Sequence, residues 1–169
     1  PERQGRGVAQ FVTTYDGGTA ELAESLAVAI ERRFGKRPYV VIARFDRRFV
    51  DANRPASGAY ETPIAQPIYA AYHEALAAAV HEIRQTWGQG ILLDLHGQGA
   101  DSETIFRGTQ NGRSIAALVQ RFGTAAIDGP DSLLGSMADL GYTIFPASSG
   151  RREDPRFNGG YIIRTYGSD

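Results

Sequence analysis

The sequence predicts a three-layer α/β/α domain built on a mostly parallel sheet, and two observations carry that prediction. Short apolar runs rich in β-forming residues alternate with longer segments of helical periodicity. This alternation is typical of a parallel sheet covered by helices on both faces. The 169 residues show no internal repeat and no dividing linker, and they are enough to bury a sizeable core. We therefore expect one domain over residues 1–169.

The first half of the chain opens with a helix after a glycine-rich turn. Thr19 is the predicted N-cap of this helix, and Gly35 is its predicted end. A buried strand is predicted over 39–45, followed by a long polar loop over 46–64. The alanine-rich segment 68–87 predicts a long helix. Long loops in compact domains are often functional, so the 46–64 loop is a candidate site.

The second half continues the alternation. Ser132 is a plausible N-cap for a late helix. The remaining predicted elements are a buried strand over 91–95, a glycine-rich loop over 97–112, helices over 115–122 and 132–140, and strands over 142–145 and 161–165. In such sheets ligands bind beyond the carboxyl ends of the strands, which is where the polar motifs fall.

Composition narrows the class of partner. The formal net charge is −1, and no basic stripe interleaved with aromatic residues is present, so no nucleic-acid partner is expected. No apolar run approaches the ~18 residues of a membrane span, so no membrane partner is expected. The absence of cysteine excludes disulfides and thiolate chemistry and fits a cytoplasmic protein. The sequence leaves the oligomeric state open.

His96 follows the predicted strand 91–95 and is a candidate metal ligand. Alternation along an extended segment places Asp94 and His96 on the same side. A histidine at the end of a strand can present a ring nitrogen to a metal while a nearby carboxylate orients the ring. The alternative is a structural histidine hydrogen-bonded in a loop.

The 46–64 loop gathers charged and amide side chains. An arginine fork from Arg47 or Arg54 can bind a carboxylate in a bidentate manner, and the amide of Asn53 can add a donor. The alternative is a salt-bridged surface loop. Asp16, before the first helix, is either a metal ligand or a turn and cap residue.

Other polar positions carry weaker signals. His73 and His81 lie on the long predicted helix, and neither extends to the His-Glu-x-x-His pattern of a zinc protease. A packing or solvated role is therefore expected for both, with His73 the better functional candidate. The loop containing Arg107 could rim the same cleft as His96. The sequence contains no phosphate-binding loop, dinucleotide fingerprint or serine nucleophile elbow.

The order of these motifs resembles the N-formylglutamate amidohydrolase family, which is itself similar to the zinc carboxypeptidases. The motifs span nearly the whole chain, and their order is more specific than any one of them. They are Asp16-Gly-Gly-Thr19, Arg47-x-x-x-Asp51-x-Asn53-Arg54-Pro55, Tyr72-His73, Asp94-Leu-His96-Gly97, Arg107-Gly-Thr109 and Phe157-x-Gly159-Gly160-Tyr161.

The resemblance implies a phosphorylase/hydrolase-like, zinc-carboxypeptidase-like fold and hydrolysis of the amide bond of a small N-acyl amino acid such as an N-formyl one. Zn²⁺ is the implied cofactor, with His96 as one ligand and Asp16 as a second. Asn53 and Arg54 would hold the carboxylate of a small, acidic substrate, and Arg47 would line the site. Catalytic roles are expected for these three residues, and substrate binding is expected also for Arg107, which lies in the loop after His96.

The chain departs from the family pattern in two places. Family members carry a metal-binding histidine before the Asp16 region and a glutamate base after the region that ends here, so we expect the domain to lack site elements at both ends. Glu153, the only late glutamate, is not expected to be the base. Two alternatives follow: a zinc peptidase or amidase acting on peptides or cell-wall fragments, and a non-catalytic carboxylate-binding domain.

Overall fold

The computed structural model describes residues 1–167, which form two compact units, Pro1–Gly97 and the residues from Gln98 onward. The domain expected over 1–169 reaches Ser168 and Asp169, which lie outside the described residues. Helices occur together with a small parallel sheet, as expected for an α/β chain. None of the helices within 1–167 combines the length and the apolar character needed to cross a membrane.

The first unit is built on helices. They are α1 (Thr19–Phe34), α2 (Ala56–Ala59) and α3 (Gln66–Trp87), with a 3₁₀ turn at Pro63–Ala65 before α3. The long helix expected over 68–87 is confirmed as α3. Gly88 ends it in the left-handed conformation, and its N–H bonds to the carbonyl of Arg84.

The start of α1 differs by one residue from the expectation. Gly18 occupies the N-cap with φ 77°, so Thr19 is the first helical residue and not the cap. The Thr19 hydroxyl instead donates to the carbonyl of Asp16 at 2.9 Å. The left-handed geometry explains why glycine holds the cap position. Gly35 ends the helix as expected, also in the left-handed region.

The 46–64 loop contributes apolar side chains to the core of the first unit. The buried side chains of this core are Val50, Ala59, Ala65 and Tyr69, with Phe45 and Tyr60 packed against them. The loop is therefore packed against the rest of the unit: its apolar side chains are part of the core, and it contains the short helix α2.

The buried strands expected over 39–45 and 91–95 are wrong. Neither segment has regular secondary structure in the described chain, whose sheet consists of two strands elsewhere. Ile91 is 71% exposed and Leu93 45% exposed, so the second segment is not buried. An apolar run favours a strand only when a neighbouring strand offers its edge, and that condition is not local.

In its described residues, 98–167, the second unit contains the sheet and four short helices. Its elements are β1 (Thr104–Phe106), α4 (Ala116–Phe122), α5 (Ala125–Asp128), α6 (Leu133–Asp139), β2 (Thr143–Phe145) and α7 (Tyr161–Tyr166), with a 3₁₀ turn at Arg113–Ile115. The strands pair in parallel, with Ile105 opposite Ile144. β1 lies inside the region expected to be a loop, and β2 matches the strand expected over 142–145.

Of two further predictions for the second unit, one is confirmed and one is wrong. Ser132 caps α6 as expected, and its hydroxyl accepts the N–H of Gly135 at 2.9 Å. The strand expected over 161–165 is wrong, since these residues form α7. Ile162 is buried there, so tertiary packing outweighs the modest preference of β-branched residues for strands.

Candidate functional site

A cluster of polar side chains surrounds His96 in the first unit. We call it the His96 cluster, and it consists of Asp16, Arg47, Asn53, Asp94 and His96. Oδ2 of Asp16 lies 2.8 Å from Nδ1 of His96 and accepts a hydrogen bond of 2.8 Å from Arg47. On the other edge of the ring, Nε2 lies 3.2 Å from Oδ2 of Asp94 and 3.0 Å from the amide nitrogen of Asn53. The structure thus brings together four predicted site residues and the expected carboxylate partner of His96.

Hydrogen bonds from its own backbone and from α3 fix the turn that carries Asn53. The Asp51 carboxylate accepts the N–H of Asn53 at 3.0 Å, and the N–H of Asp51 donates to the carbonyl of Ala59 at 2.8 Å. From α3, the Tyr69 hydroxyl donates to the carbonyl of Arg54 at 3.0 Å. These contacts make the turn a defined platform rather than a solvated loop.

His73 adds a second contact from α3 to this turn. Its Nε2 lies 3.1 Å from the carbonyl of Ala52, which can only accept, so this nitrogen carries the proton. The ring also packs against Tyr69 and Tyr72. Burial lowers the pKa of His73, although the hydrogen bond to Ala52 opposes the shift. The geometry favours a supporting role for His73 beneath the site.

The electrostatics of the His96 cluster favour a charged ring when no metal is bound. Burial lowers the pKa of His96, but the hydrogen bonds and charges of Asp16 and Asp94 outweigh it and raise that pKa to about 10. Burial likewise raises the pKa of Asp16, and the contacts with His96 and Arg47 reverse the effect so that this pKa is lowered. With both nitrogens protonated, the ring donates to Asp16 from Nδ1 and to Asp94 from Nε2, and the Asn53 amide nitrogen near Nε2 then makes no hydrogen bond to the ring.

In the metal-free protein we expect the His96 ring to titrate with a pKa of about 10. Since the folded pKa lies above the unfolded value, the ring stabilises the fold fully below ~6.5, and this contribution is lost as the pH rises through the folded pKa. The measurement is an NMR titration of the histidine ring nitrogens, with thermal unfolding at each pH.

Asp94→Asn removes one carboxylate from the ring and is expected to lower the midpoint. Glu74→Gln removes an exposed carboxylate of α3 and serves as the control. A His96 ring that is neutral at pH 8 in the unmodified protein would contradict the charge pairing described here.

The donor set of the His96 cluster fits two positions of a zinc site. Imidazole nitrogen and carboxylate oxygen are zinc ligands with bonds of ~2.0–2.2 Å, which place two tetrahedral ligands ~3.3 Å apart. Nδ1 of His96 and Oδ2 of Asp16 are 2.8 Å apart, so a small side-chain movement accommodates both on one ion. Asp94 lies on the opposite edge of the ring. Within residues 1–167 no group of three or more metal-binding side chains is assembled.

Arg54 lies beside the cluster but is occupied by the chain's own carbonyls. Its guanidinium donates to the carbonyl of Gln10 at 2.8 Å and to that of Asn53 at 3.0 Å. Two of the five N–H donors of the guanidinium are engaged in these contacts. Substrate binding by Arg54 stays a prediction.

Arg107 lies in the second unit, in a buried ion pair with Glu153. Nε of Arg107 donates to Oε1 of Glu153 at 3.1 Å, and the side chains are 4% and 0% exposed. The same carboxylate accepts backbone N–H groups from Thr109 and Asn111 at 2.8–3.0 Å, and the Thr109 hydroxyl. This environment favours a structural role for Arg107, and substrate binding by it stays a prediction. That Glu153 is not the base also stays a prediction.

One residue near the site was not found from the sequence. Arg3 is buried, and its guanidinium bonds to the carbonyl of Arg47 at 2.8 Å. A buried arginine has no local pattern in a sequence, because its partners here are backbone carbonyls 9 to 55 residues away.

Comparison of the chain with models of protein families, with curated proteins and with solved structures gave no match. The functional argument therefore rests on the geometry of the His96 cluster and on the order of motifs in the sequence.

Proposed function

We propose that the chain is a zinc-dependent amidohydrolase of the N-formylglutamate amidohydrolase type, which cleaves the amide bond of a small N-acyl amino acid with an acidic side chain. One observation carries the proposal. Four predicted site residues lie up to 80 residues apart in sequence, yet each has a side-chain atom within 3.0 Å of another member of the group. They are Asp16, Arg47, Asn53 and His96. These are residues that the family resemblance had selected independently of their position in space.

The fold proposed with this function is a three-layer, zinc-carboxypeptidase-like arrangement. Its support is the parallel pairing of β1 with β2 and the presence of helices in both units. Parallel strands are joined by crossover segments that cover the sheet, which is the basis of the three-layer arrangement.

In this proposal the first unit supplies the ligands. His96 offers Nδ1 and Asp16 offers Oδ2, while Asp94 on the far edge holds the ring in place. A zinc ion held there would supply an acidic water, with a pKa near ~7, and a Lewis acid for the amide carbonyl. Arg47 donates to the same oxygen of Asp16 and thereby orients the carboxylate.

Substrate recognition in this proposal falls to the turn that carries Asn53 and Arg54. The Asn53 amide lies beside the His96 ring, where it can donate to an oxygen of the bound substrate. Arg54 presents a planar fork that matches a carboxylate, and the charge-assisted pair with a substrate carboxylate would offset the loss of its hydrogen bond to Gln10. Both groups would orient the scissile amide toward His96.

The experiment that tests the proposed function measures zinc content and the release of free amino acid. The substrates are N-formylglutamate, N-acetylglutamate and a short peptide with a C-terminal glutamate. Because the described residues 1–167 bring together only two proposed zinc ligands, we expect about one zinc per chain and turnover of the small N-acyl amino acids from a form that also carries the third ligand and the base, and no turnover from residues 1–169 alone. Turnover of the peptide alone would support a zinc peptidase instead.

Arg54→Lys should reduce kcat/KM for N-formylglutamate by about 10- to 100-fold, because a lysine keeps the charge but loses the fork. The matched measurement uses the neutral amide of the same substrate, for which the loss should be smaller. Equal losses for the two substrates would contradict a carboxylate contact at Arg54. Arg48→Lys, an exposed neighbour on the same loop, is the control.

A second candidate is a non-catalytic domain that binds small carboxylates. It is favoured by the absence of a three-ligand metal group within residues 1–167. Calorimetry with glutamate and N-formylglutamate in the presence of a chelator separates the two. Binding without zinc and without turnover supports the binding domain, whereas zinc-dependent turnover supports the hydrolase.

A further inference from the structure

We propose that Arg3 is a positioning residue that holds the 47–53 loop in the conformation in which Arg47 and Asn53 reach the His96 cluster. The inference deepens the proposed function and rests on it for the chemistry that the cluster performs. The contacts of Arg3 that carry the inference involve only residues of this chain, and neither metal nor substrate takes part in them.

The surroundings of Arg3 are those of an anchor rather than a surface charge. Its side chain is 2% exposed and lies over the ring of Phe11, with the guanidinium carbon 4.8 Å from the ring centre. A guanidinium removed from water must be paired or hydrogen-bonded to be tolerated. Its charge partner is Asp51, also buried, at 3.8 Å.

Two side-chain hydrogen bonds of Arg3 and one from its backbone end within residues 46–64, and a longer one of 3.4 Å ends on the carbonyl of Val12. One terminal nitrogen donates to the carbonyl of Arg47 at 2.8 Å, and the other donates to the carbonyl of Gly58 at 3.1 Å. The backbone N–H of Arg3 donates to the carbonyl of Arg48 at 2.8 Å. The planar fork thus ties the beginning of the loop to the end of α2, a bridge that a single ammonium group cannot span.

Two of these contacts lead directly to the His96 cluster. The carbonyl of Arg47 is held by Arg3, while the Arg47 side chain donates to Asp16. Asp51 faces Arg3 with one carboxylate oxygen, and its other oxygen accepts the N–H of Asn53. Arg3 therefore contacts the backbone of Arg47 directly and the hydrogen-bond partner of Asn53 through Asp51.

The test compares Arg3→Met with Arg3→Lys in the full chain without metal or substrate. The readout is the NMR signals of the Asn53 side-chain amide, the Arg47 Nε–H and the His96 ring. We expect all three to shift in Arg3→Met, and to shift less in Arg3→Lys, which keeps the charge near Asp51. In the active enzyme, kcat/KM should fall by about 10²-fold in Arg3→Met, since misplacement of a site by ~1 Å has that effect.

Two control variants separate positioning from general loss of stability. Leu76→Ala opens a cavity at a buried position of α3 and should lower the melting temperature without moving the three signals. Arg48→Met removes an exposed arginine of the same loop and should change neither.

Unmoved signals in folded Arg3→Met would overturn the proposal, and so would equal shifts in Leu76→Ala. If Arg3→Met does not fold, Arg3→Lys decides by the same signals. Failure of both to fold would also overturn it, because Arg3 would then serve the whole unit rather than the loop. Shifted signals in a protein whose unmodified form hydrolyses no N-acyl amino acid would leave the positioning role intact and remove the proposed function.

Discussion

In a form of the protein that carries the complete zinc site, replacing His96 with alanine is expected to weaken zinc binding by at least ~10-fold and to abolish release of glutamate from N-formylglutamate. His96 is the centre of its cluster, with contacts to Asp16 on one edge of the ring and to Asp94 on the other. Its loss removes one proposed ligand and leaves two carboxylates without their shared partner. The measurements are zinc stoichiometry after dialysis, competition with a chelator, and the rate of amino-acid release.

His81→Ala is the matched control for this prediction. His81 lies exposed on α3, so the same substitution removes a histidine without touching the cluster. Zinc affinity and turnover should remain those of the unmodified protein. Equal zinc affinity in the His96 and His81 variants would remove His96 from the metal site.

Replacing Glu153 with alanine is expected to destabilise the second unit by about 3–5 kcal/mol, the usual effect of removing one partner from a buried ion pair. The side chain of Glu153 is 0% exposed, and its loss leaves Arg107 buried without its counter-charge. The N–H groups of Thr109 and Asn111 lose their acceptor at the same time. Urea unfolding followed by amide signals of the second unit measures the change.

The adjacent acidic residue supplies the control for Glu153. Asp154 pairs with Arg156 at 2.8 Å, and the arginine is 61% exposed. Asp154→Ala should leave the unfolding free energy of the second unit nearly unchanged, because exposed ion pairs contribute little. A Glu153→Ala protein as stable as Asp154→Ala would show that the buried pair is dispensable.

The elements found from the sequence are those whose signals are local. The periodicity of 68–87 with Gly88 at its end predicts α3, and Ser132 before an apolar segment predicts the cap of α6. Helical hydrogen bonds close within four residues, and a capping hydroxyl acts within three. Such contacts are present in the sequence itself.

For the candidate site, too, the residue types could be predicted from the sequence but their arrangement in space could not. The types of residue that bind metal or carboxylate, among them Asp16, Asn53 and His96, could be selected from short motifs. Their convergence on one imidazole could not, because it depends on how the 47–53 loop and the turn before α1 are placed. The raised pKa of His96 follows only from that convergence.

The sequence by itself determined that this protein combines helices with a parallel sheet, that it contains the long helix α3, and which side chains are available to bind a metal or a carboxylate. Only the tertiary structure decided that 161–165 is helical, that 39–45 and 91–95 have no strand partner among residues 1–167, and that Arg3 is buried in contact with the 47–53 loop. Strand pairing, burial and ion pairs depend on residues distant in the chain, and the free energy that selects among them comes from desolvation and packing at those distant contacts.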